Sequence, residues 1–361
     1  MIARTTVLVF AALVVASADV QLKPPAPDVR YRAPQLASAP GIVVMAFGAA
    51  NSVYVATSTN EGQSFSKPVK VFETRVLPLS RHRGPRVVIT RGAIVVTAVT
   101  GQTEATGPHA HGLPSDGDLY VWRSMDSGKT WSKAVRINDV PSAAREGLHT
   151  LATDGNGNLF AAWLDLRKEG TRLYGAFSID AGATWLPNTA IYESPDGTIC
   201  QCCHPSAMYG DDGAVHVMWR NCLNGARDMY LISAGASRHF GKAEKLGTGS
   251  WKITACPMDG GGIARVGSRT ITAWRRADEI FMAEPGQPET RLGQGKDVAL
   301  AVSRGHTYAV WIAGTRLESW RAGRQDILAP KAAFPSLVAL PGGGVLAAWE
   351  EDDAISLRRL P

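Results

Sequence analysis

The strongest constraint on the fold of this chain is a short strand pattern that recurs along it. Each copy is an alternating run of small and β-branched residues that ends on tryptophan. Runs of this composition, bounded by Gly turns, are typical of β-strands rather than helices. Five copies end on Trp, at residues 159–163, 215–219, 270–274, 307–311 and 345–349, and residues 42–47 and 94–99 are Trp-less relatives.

Each of these runs is the second strand of a larger unit. A shorter strand and a Gly turn precede it, and a third strand follows it, as at residues 119–122 and 173–177. Four strands repeated about every 45 to 55 residues are typical of the blades of a β-propeller. We count seven such units, starting near Pro34, Pro85, His149, Pro205, Pro257, Val298 and Pro335.

An eight-residue motif, S-x-D-x-G-x-T-W, lies between the third and fourth strands of some units. Residues 124–131 and 178–185 match it fully, and residues 58–65 are a conservative variant. In such a turn the Asp carboxylate accepts backbone N–H groups, Gly adopts a positive φ and the aromatic ring packs beneath the hairpin. The motif therefore predicts a structural role at the turn.

These motifs, in phase with the strand repeat, resemble the Asp-box (BNR) repeat proteins of the sialidase superfamily. The resemblance covers nearly all of residues 19–361 and implies an all-β propeller in one domain. Our count predicts seven blades, with six, the number in sialidases, as the alternative. The proline-rich segment 23–29 is our candidate for closing the ring.

The N-terminus has the pattern of a signal peptide. Arg4 precedes an apolar run at residues 6–15, and small residues at 16–18 form a cleavage site. We expect residues 1–18 to be removed and the protein to be secreted or periplasmic. No later segment is apolar enough for a stable membrane span. The net charge of +6 fits acidic ligands, whereas its scatter along the chain argues against nucleic acid; nothing indicates an oligomeric state.

Strand alternation predicts which loops share a face of the propeller. The starts of the first strands and the loops between second and third strands lie at one end, which we call the channel face, and the Asp boxes lie at the other. All five cysteines and five of the eight histidines fall on the channel face. Propeller sites usually lie around the channel mouth, so we expect the functional site there.

The resemblance to sialidases implies a particular set of catalytic groups. That family clamps a substrate carboxylate with arginines and uses an Asp as acid/base and a Tyr assisted by a Glu as nucleophile. Arg32 matches the family's Arg-x-Pro motif, as Tyr-Arg-Ala-Pro at 31–34. By position, the other candidates are Arg83, Arg220 and Arg275 for the clamp and Asp116, Asp118, Tyr308 and Glu350 for catalysis.

This set predicts an exported glycoside hydrolase acting on acidic glycans, with no cofactor required. The alternative for Arg220 and Arg275 is a solvated or Asp-paired arginine. The alternative function is a non-catalytic propeller that binds a glycan or another extracellular ligand on the same face.

The sialidase resemblance does not account for the cluster Cys-Gln-Cys-Cys-His at 200–204. In an exported protein we expect disulfides, and the candidates are Cys200, Cys202, Cys203, Cys222 and Cys256, an odd number. The alternative is a soft-metal site, for instance for copper, which gives a third class of function, a periplasmic metal or thiol protein. Its candidate ligands are His109, His111, His149, Cys202, Cys203 and His204.

Overall fold

A computed structural model describes residues 19–107, 110 and 112–361, and within these residues every regular element is a β-strand. The predicted signal peptide, residues 1–18, and the candidate ligands His109 and His111 lie outside the described residues. The strands form seven four-stranded antiparallel sheets. The described part of the chain includes no helix that could cross a membrane.

Six of the sheets are each built from four consecutive strands, which we number as blades 1 to 6. Blade 1 contains Tyr31–Ala39 (β2), Ile42–Ala49 (β3), Ser52–Ser58 (β4) and Val69–Glu73 (β5), and blade 2 contains Arg86–Thr90 (β6), Ala93–Thr100 (β7), Asp118–Ser124 (β8) and Val135–Arg136 (β9). Blade 3 contains His149–Thr153 (β10), Leu159–Asp165 (β11), Arg172–Ser178 (β12) and Thr189–Tyr192 (β13), and blade 4 contains Ser206–Tyr209 (β14), Val215–Arg220 (β15), Met229–Ala234 (β16) and Glu244–Lys245 (β17). Blade 5 contains Gly261–Val266 (β18), Arg269–Arg276 (β19), Glu279–Ala283 (β20) and Thr290–Gln294 (β21), and blade 6 contains Lys296–Ser303 (β22), His306–Ala313 (β23), Arg316–Arg321 (β24) and Arg324–Ala329 (β25).

The seventh blade closes the ring with strands from both ends of the described chain. Ala333–Ala339 (β26), Val345–Glu351 (β27) and Ala354–Leu360 (β28) are completed by Val20–Leu22 (β1), which pairs with β28. The predicted seven-bladed propeller is confirmed. The prediction that segment 23–29 closes it is wrong, because the closing strand lies just before this segment, whose three prolines lack the N–H that a ladder needs.

The tryptophans that mark the repeat pack between neighbouring blades. Trp163, Trp219, Trp311 and Trp349 are fully buried. Trp163, for example, belongs to a cluster that also contains Val99 and Leu119 from blade 2. Since large aromatic side chains bury the most apolar area per residue, this repeated contact joins blades 3, 4, 6 and 7 each to the blade before it.

The Asp boxes act as staples at the end of the ring opposite the channel face. Asp126 accepts the N–H and the hydroxyl of Thr130, at 2.9 and 2.6 Å, and the N–H of Lys129 at 3.1 Å. Gly128 has φ of 89° and lies against Val55 of the neighbouring blade. The predicted structural role of the box is therefore confirmed.

At the channel face, the first strands of blades 1, 6 and 7 open with an irregularity of the backbone. The register of β2, β22 and β26 shifts at the first residues, and Ala33, Asp297 and Phe334 have φ of 53°, 59° and 47°. A bulge of this kind re-aims a side chain and is common beside sites. In these three blades the recurring start seen in the sequence is thus a bulge.

Removing residues 19–22 tests the closure of the ring. Val20 and Leu22 pack against the apolar cluster between blades 7 and 1, so their loss exposes that surface and the edge of β28. We expect unfolding in urea to show a loss of about 2 kcal/mol or more. Gln21→Ala, whose side chain is exposed, is the control and should change stability by less than about 0.5 kcal/mol.

The carboxylate of Asp126, in the Asp box at residues 124–131, gives a prediction about how stability depends on pH. Hydrogen bonds from Thr130, first from its hydroxyl and then from its N–H, lower the pKa of Asp126 to about 2. A folded-state pKa below the unfolded value means that this stabilisation is present at neutral pH and is lost as pH falls toward 2. Carboxyl NMR titration should place Asp126 near this value. Thr130→Ala should raise the pKa toward its ordinary value, and an unchanged pKa would contradict the assignment.

Candidate functional site

The channel face brings together the starts of the inner strands, as the sequence predicted. Arg32 of blade 1 forms a salt bridge with Glu350 of blade 7, with Nε and Oε2 at 2.8 Å. Glu350 also accepts the backbone N–H of Ala33 at 2.7 Å, and burial raises the pKa of its carboxyl. The guanidinium predicted to clamp a substrate is therefore already occupied by a carboxylate of this chain.

The three other arginines predicted for the clamp are also anchored within the protein. Arg83 is buried and donates to the backbone oxygen of Glu146 at 2.6 Å. Arg275 pairs with Asp278 at 2.9 Å. Arg220, 1 % exposed, donates to the backbone oxygens of three residues in two blades and their loops, Arg227, Asp259 and Arg275. The described residues do not assemble an arginine clamp.

Replacing Arg220 tests whether it is structural. Its removal leaves three buried carbonyls without a donor, and hydrogen bonds to a charged group contribute about 1.5–3 kcal/mol each. We expect Arg220→Ala to lower the free energy of unfolding by at least about 3 kcal/mol. Arg30→Ala, which removes an exposed salt bridge to Asp353, should cost less than about 1 kcal/mol. Equal stability of the two variants would contradict the structural role.

The candidate acids Asp116 and Asp118 line one cavity of about 380 Å³, beside Tyr120 and Trp122. Burial acts to raise the pKa of Asp116, but the N–H groups of Thr103 and Gln102 outweigh it, and the pKa is lowered. Asp118 is buried and accepts the amide of Asn138 at 2.6 Å. An aspartate with a lowered pKa is a poor proton donor at neutral pH, so Asp116 does not suit the role of general acid.

The placement of Tyr308 rules out its predicted role at the channel face. It lies near the start of β23, paired with Ala301 and Arg321, which places it at the Asp-box end of blade 6. Its hydroxyl donates to the backbone oxygen of Pro361 at 2.6 Å. The first strand of a blade starts at the channel face and the second strand runs in the opposite direction. The second strand therefore starts at the end away from the channel mouth.

The densest reactive group on the face is a cluster of three thiols. The Sγ atom of Cys200 lies 3.7 Å from that of Cys202 and 3.3 Å from that of Cys203, and all three residues are buried. Arg227 donates to Cys200 at 3.2 Å. Hydrogen bonding with the Cys202 and Cys203 thiols, together with the charge of Arg220, lowers the pKa of Cys200. Met258 packs against the cluster.

All five cysteines are free thiols in the structure, so none of the disulfides expected from the sequence is formed in it. Of the histidines of the predicted metal site, the two that the structure describes, His149 and His204, do not join the thiols either. His149 is fully buried and its Nε2 lies 3.0 Å from the hydroxyl of Thr97. Nδ1 of His204 accepts the N–H of Gly260, and its ring stacks on His82.

A second polar cluster lies at the channel, and the sequence analysis missed most of it. Nε2 of His82 is 2.7 Å from Oδ1 of Asp297, and Asp259 accepts the N–H of Asp297 at 3.0 Å. Burial and the Asp297 carboxylate raise the pKa of Asp259 to about 6. Asp297 is the second residue of β22, Asp259 lies two residues before β18 and His82 lies four residues before β6, and this shared place near the starts of first strands was the signal that could have found them.

An open cleft of about 1020 Å³ lies between blades 5 and 6 toward the channel face. Its walls carry Arg275, Arg291, Lys296 and Arg316. The three arginines pair with carboxylates, to Asp278, Glu279 and Glu318, whereas Lys296 is exposed. Lys296 is therefore the basic side chain of this cleft that forms no salt bridge among the described residues.

Comparison with models of known protein families gives no match for this sequence. A search of curated proteins gives none either. Solved structures do share the fold. An ulvan lyase, which is a polysaccharide lyase, matches with a TM-score of 0.58 at 13% identity, over 94% of this chain and 95% of its own.

Sialidase structures match this chain over most of its length as well. A leech intramolecular trans-sialidase has a TM-score of 0.53 at 10% identity, over 91% of this chain and 68% of its own. An intramolecular trans-sialidase from Ruminococcus gnavus has a TM-score of 0.53 at 9% identity, over 91% and 94%. At such identities the likeness shows a shared propeller fold, and one fold carries many functions.

Proposed function

We propose that this protein is a metal-binding propeller that holds a soft metal ion, such as copper(I), on the thiols of Cys200, Cys202 and Cys203. The observation that carries the proposal is the spacing of the three sulfur atoms, 3.3 and 3.7 Å from Cys200. Thiolates bound to one zinc ion at about 2.3 Å in tetrahedral geometry lie about 3.8 Å apart. The sulfur atoms therefore need only small shifts to share an ion.

The surroundings of the thiols favour a soft ion over a hard one. Sulfur donors select copper(I) and zinc, whereas calcium and magnesium require oxygen ligands. Met258, which carries a further soft donor, packs against the same cluster. Arg227 and Arg220 supply positive charge that stabilises thiolates. Export, as predicted from residues 1–18, would place the thiols in an oxidising compartment, where a bound metal protects them.

The test is a copper(I) titration of residues 19–361 under reducing conditions, in competition with a chromophoric chelator. We expect one equivalent to bind. Loss of an outer-shell partner weakens metal binding by about 10–100-fold. Cys202→Ser and Cys203→Ser each remove a proposed ligand, so each should weaken copper(I) binding by more than this. Cys222→Ser and Cys256→Ser are matched controls that remove thiols outside the cluster. Binding that is absent, or that survives both cluster variants, would rule the proposal out.

A second candidate function is action on, or binding of, an acidic glycan. The fold is shared with an ulvan lyase and with sialidases, and the basic cleft between blades 5 and 6 is large enough for several sugar units. Arginine and lysine suit carboxylate and sulfate groups. The same electrostatics would serve a hydrolase, a lyase or a binding protein.

Turnover is assayed on fluorogenic sialosides and uronides, and binding to a sulfated polyuronide is measured in parallel. Together these measurements separate enzymatic activity from binding alone. Lys296→Ala and Arg291→Ala should weaken binding, with greater effect at low salt because the contacts are charged. Lys129→Ala, at the Asp-box end, is the control. Turnover that is lost in Arg32→Ala would instead support the sialidase-type site. If the protein neither turns over nor binds these glycans, the glycan function is ruled out and metal binding is the one proposed function that remains.

A further inference from the structure

Three blades place nitrogen and oxygen donors within reach of one another at the channel. His82 lies on the segment before blade 2, Asp259 before blade 5 and Asp297 on the bulge of blade 6. One donor atom from each lies within 4.8 Å of the other two. His82 and Asp297 are 215 residues apart in sequence, so closure of the ring alone brings them together.

The carboxylate of Asp259 shows that this cluster lacks a partner. Asp259 is 1 % exposed. Its Oδ2 accepts the N–H of Asp297, whereas its Oδ1 is buried and has no hydrogen-bond partner among the described residues. Buried carboxylate oxygens are otherwise hydrogen-bonded, paired with a cation or bound to a metal.

The nearby basic side chains do not supply that partner. Arg220 reaches Asp259 only at its backbone oxygen, at 3.2 Å, and Arg86 donates to the backbone oxygens of His82 and Pro85. Within the residues that the structure describes, no Lys or Arg forms a salt bridge with Asp259 or Asp297. Two buried carboxylates therefore face one imidazole, and neither forms a salt bridge with a Lys or Arg among the described residues.

We infer that His82, Asp259 and Asp297 form a binding site for one divalent cation of the zinc type, separate from the thiol cluster. One imidazole and two carboxylates are a common donor set for zinc and similar ions. Donors at about 2.1 Å from an ion lie about 3.4 Å apart, so the 2.7 Å contact between His82 and Asp297 has to widen by less than 1 Å.

Neighbouring groups would hold the ligands in place. The ring of His204 stacks on His82 with centroids 4.3 Å apart, and the ring of Phe334 meets His82 edge-on at 5.4 Å. The N–H of Gly260 fixes Nδ1 of His204. These contacts hold the imidazole of His82 in place beside Asp297.

The two metal sites differ in donor chemistry, and cobalt(II) distinguishes them. Thiolate ligands give intense sulfur-to-cobalt charge-transfer absorption, whereas nitrogen and oxygen ligands give only weak visible bands. Cobalt(II) is therefore titrated into the chelator-treated protein, residues 19–361, in its wild-type, Cys202→Ser/Cys203→Ser and Asp259→Asn forms. Circular dichroism checks that each variant is folded.

We expect the double cysteine variant to keep one equivalent of cobalt with visible bands only. Asp259→Asn should weaken that site by more than about 100-fold and leave the charge-transfer absorption unchanged. Asp278→Asn, whose carboxylate pairs with Arg275 outside the cluster, is the matched control. If Asp259→Asn does not fold, His82→Gln is the second variant, since it removes the nitrogen donor and keeps both carboxylates.

Several outcomes would overturn the inference. The inference is wrong if the double cysteine variant binds no cobalt, or if Asp259→Asn binds cobalt as tightly as the wild type does. Either result would show that His82 and Asp297 are only a hydrogen-bonded pair. If the wild-type protein shows the weak visible bands but no charge-transfer absorption, the thiol site is ruled out and this site stands, so the two proposals fail separately.

Discussion

Closure of the ring by blade 7 is the constraint on which the rest of the structure depends. Three C-terminal strands leave an open edge at β28, and β1 occupies it. Once the ring is closed, each sheet packs between two neighbours, with buried tryptophans such as Trp163 and Trp349 at several of these contacts. The seven inner strands are then fixed around one axis, and the residues at their starts have no freedom to separate.

The bulges at these starts convert a repeated backbone into a varied site. Every inner strand begins at the same place, but the residue turned toward the channel differs from blade to blade. Ala33 and Phe334 are apolar there, whereas Asp297 is charged and meets His82. The propeller thus supplies equivalent positions around one opening, and the side chains at those positions decide its chemistry.

The arginines of the channel face show how fold and site separate. Arg32, Arg83 and Arg275 are matched by carboxylates of this chain, and Arg220 by backbone oxygens, so they stabilise the face. A propeller with Asp-box turns is therefore present, with each of these four arginines paired inside the chain. Our metal-site proposals rest on the three thiols, which contact one another, and on the carboxylate of Asp259, whose Oδ1 has no hydrogen-bond partner among the described residues.

The sequence by itself determined the blade, because strand alternation, terminal tryptophans and Asp-box turns are local patterns with local physical causes. It also determined which end of the propeller collects the cysteines, since strand direction alternates strictly. Only the tertiary structure decided the pairing of Arg32 with Glu350, the placement of Tyr308 at the opposite end and the meeting of His82 with Asp259 and Asp297. These contacts join different blades, or a strand to the end of the chain, and the distances between such residues are set by closure of the ring rather than by any local pattern.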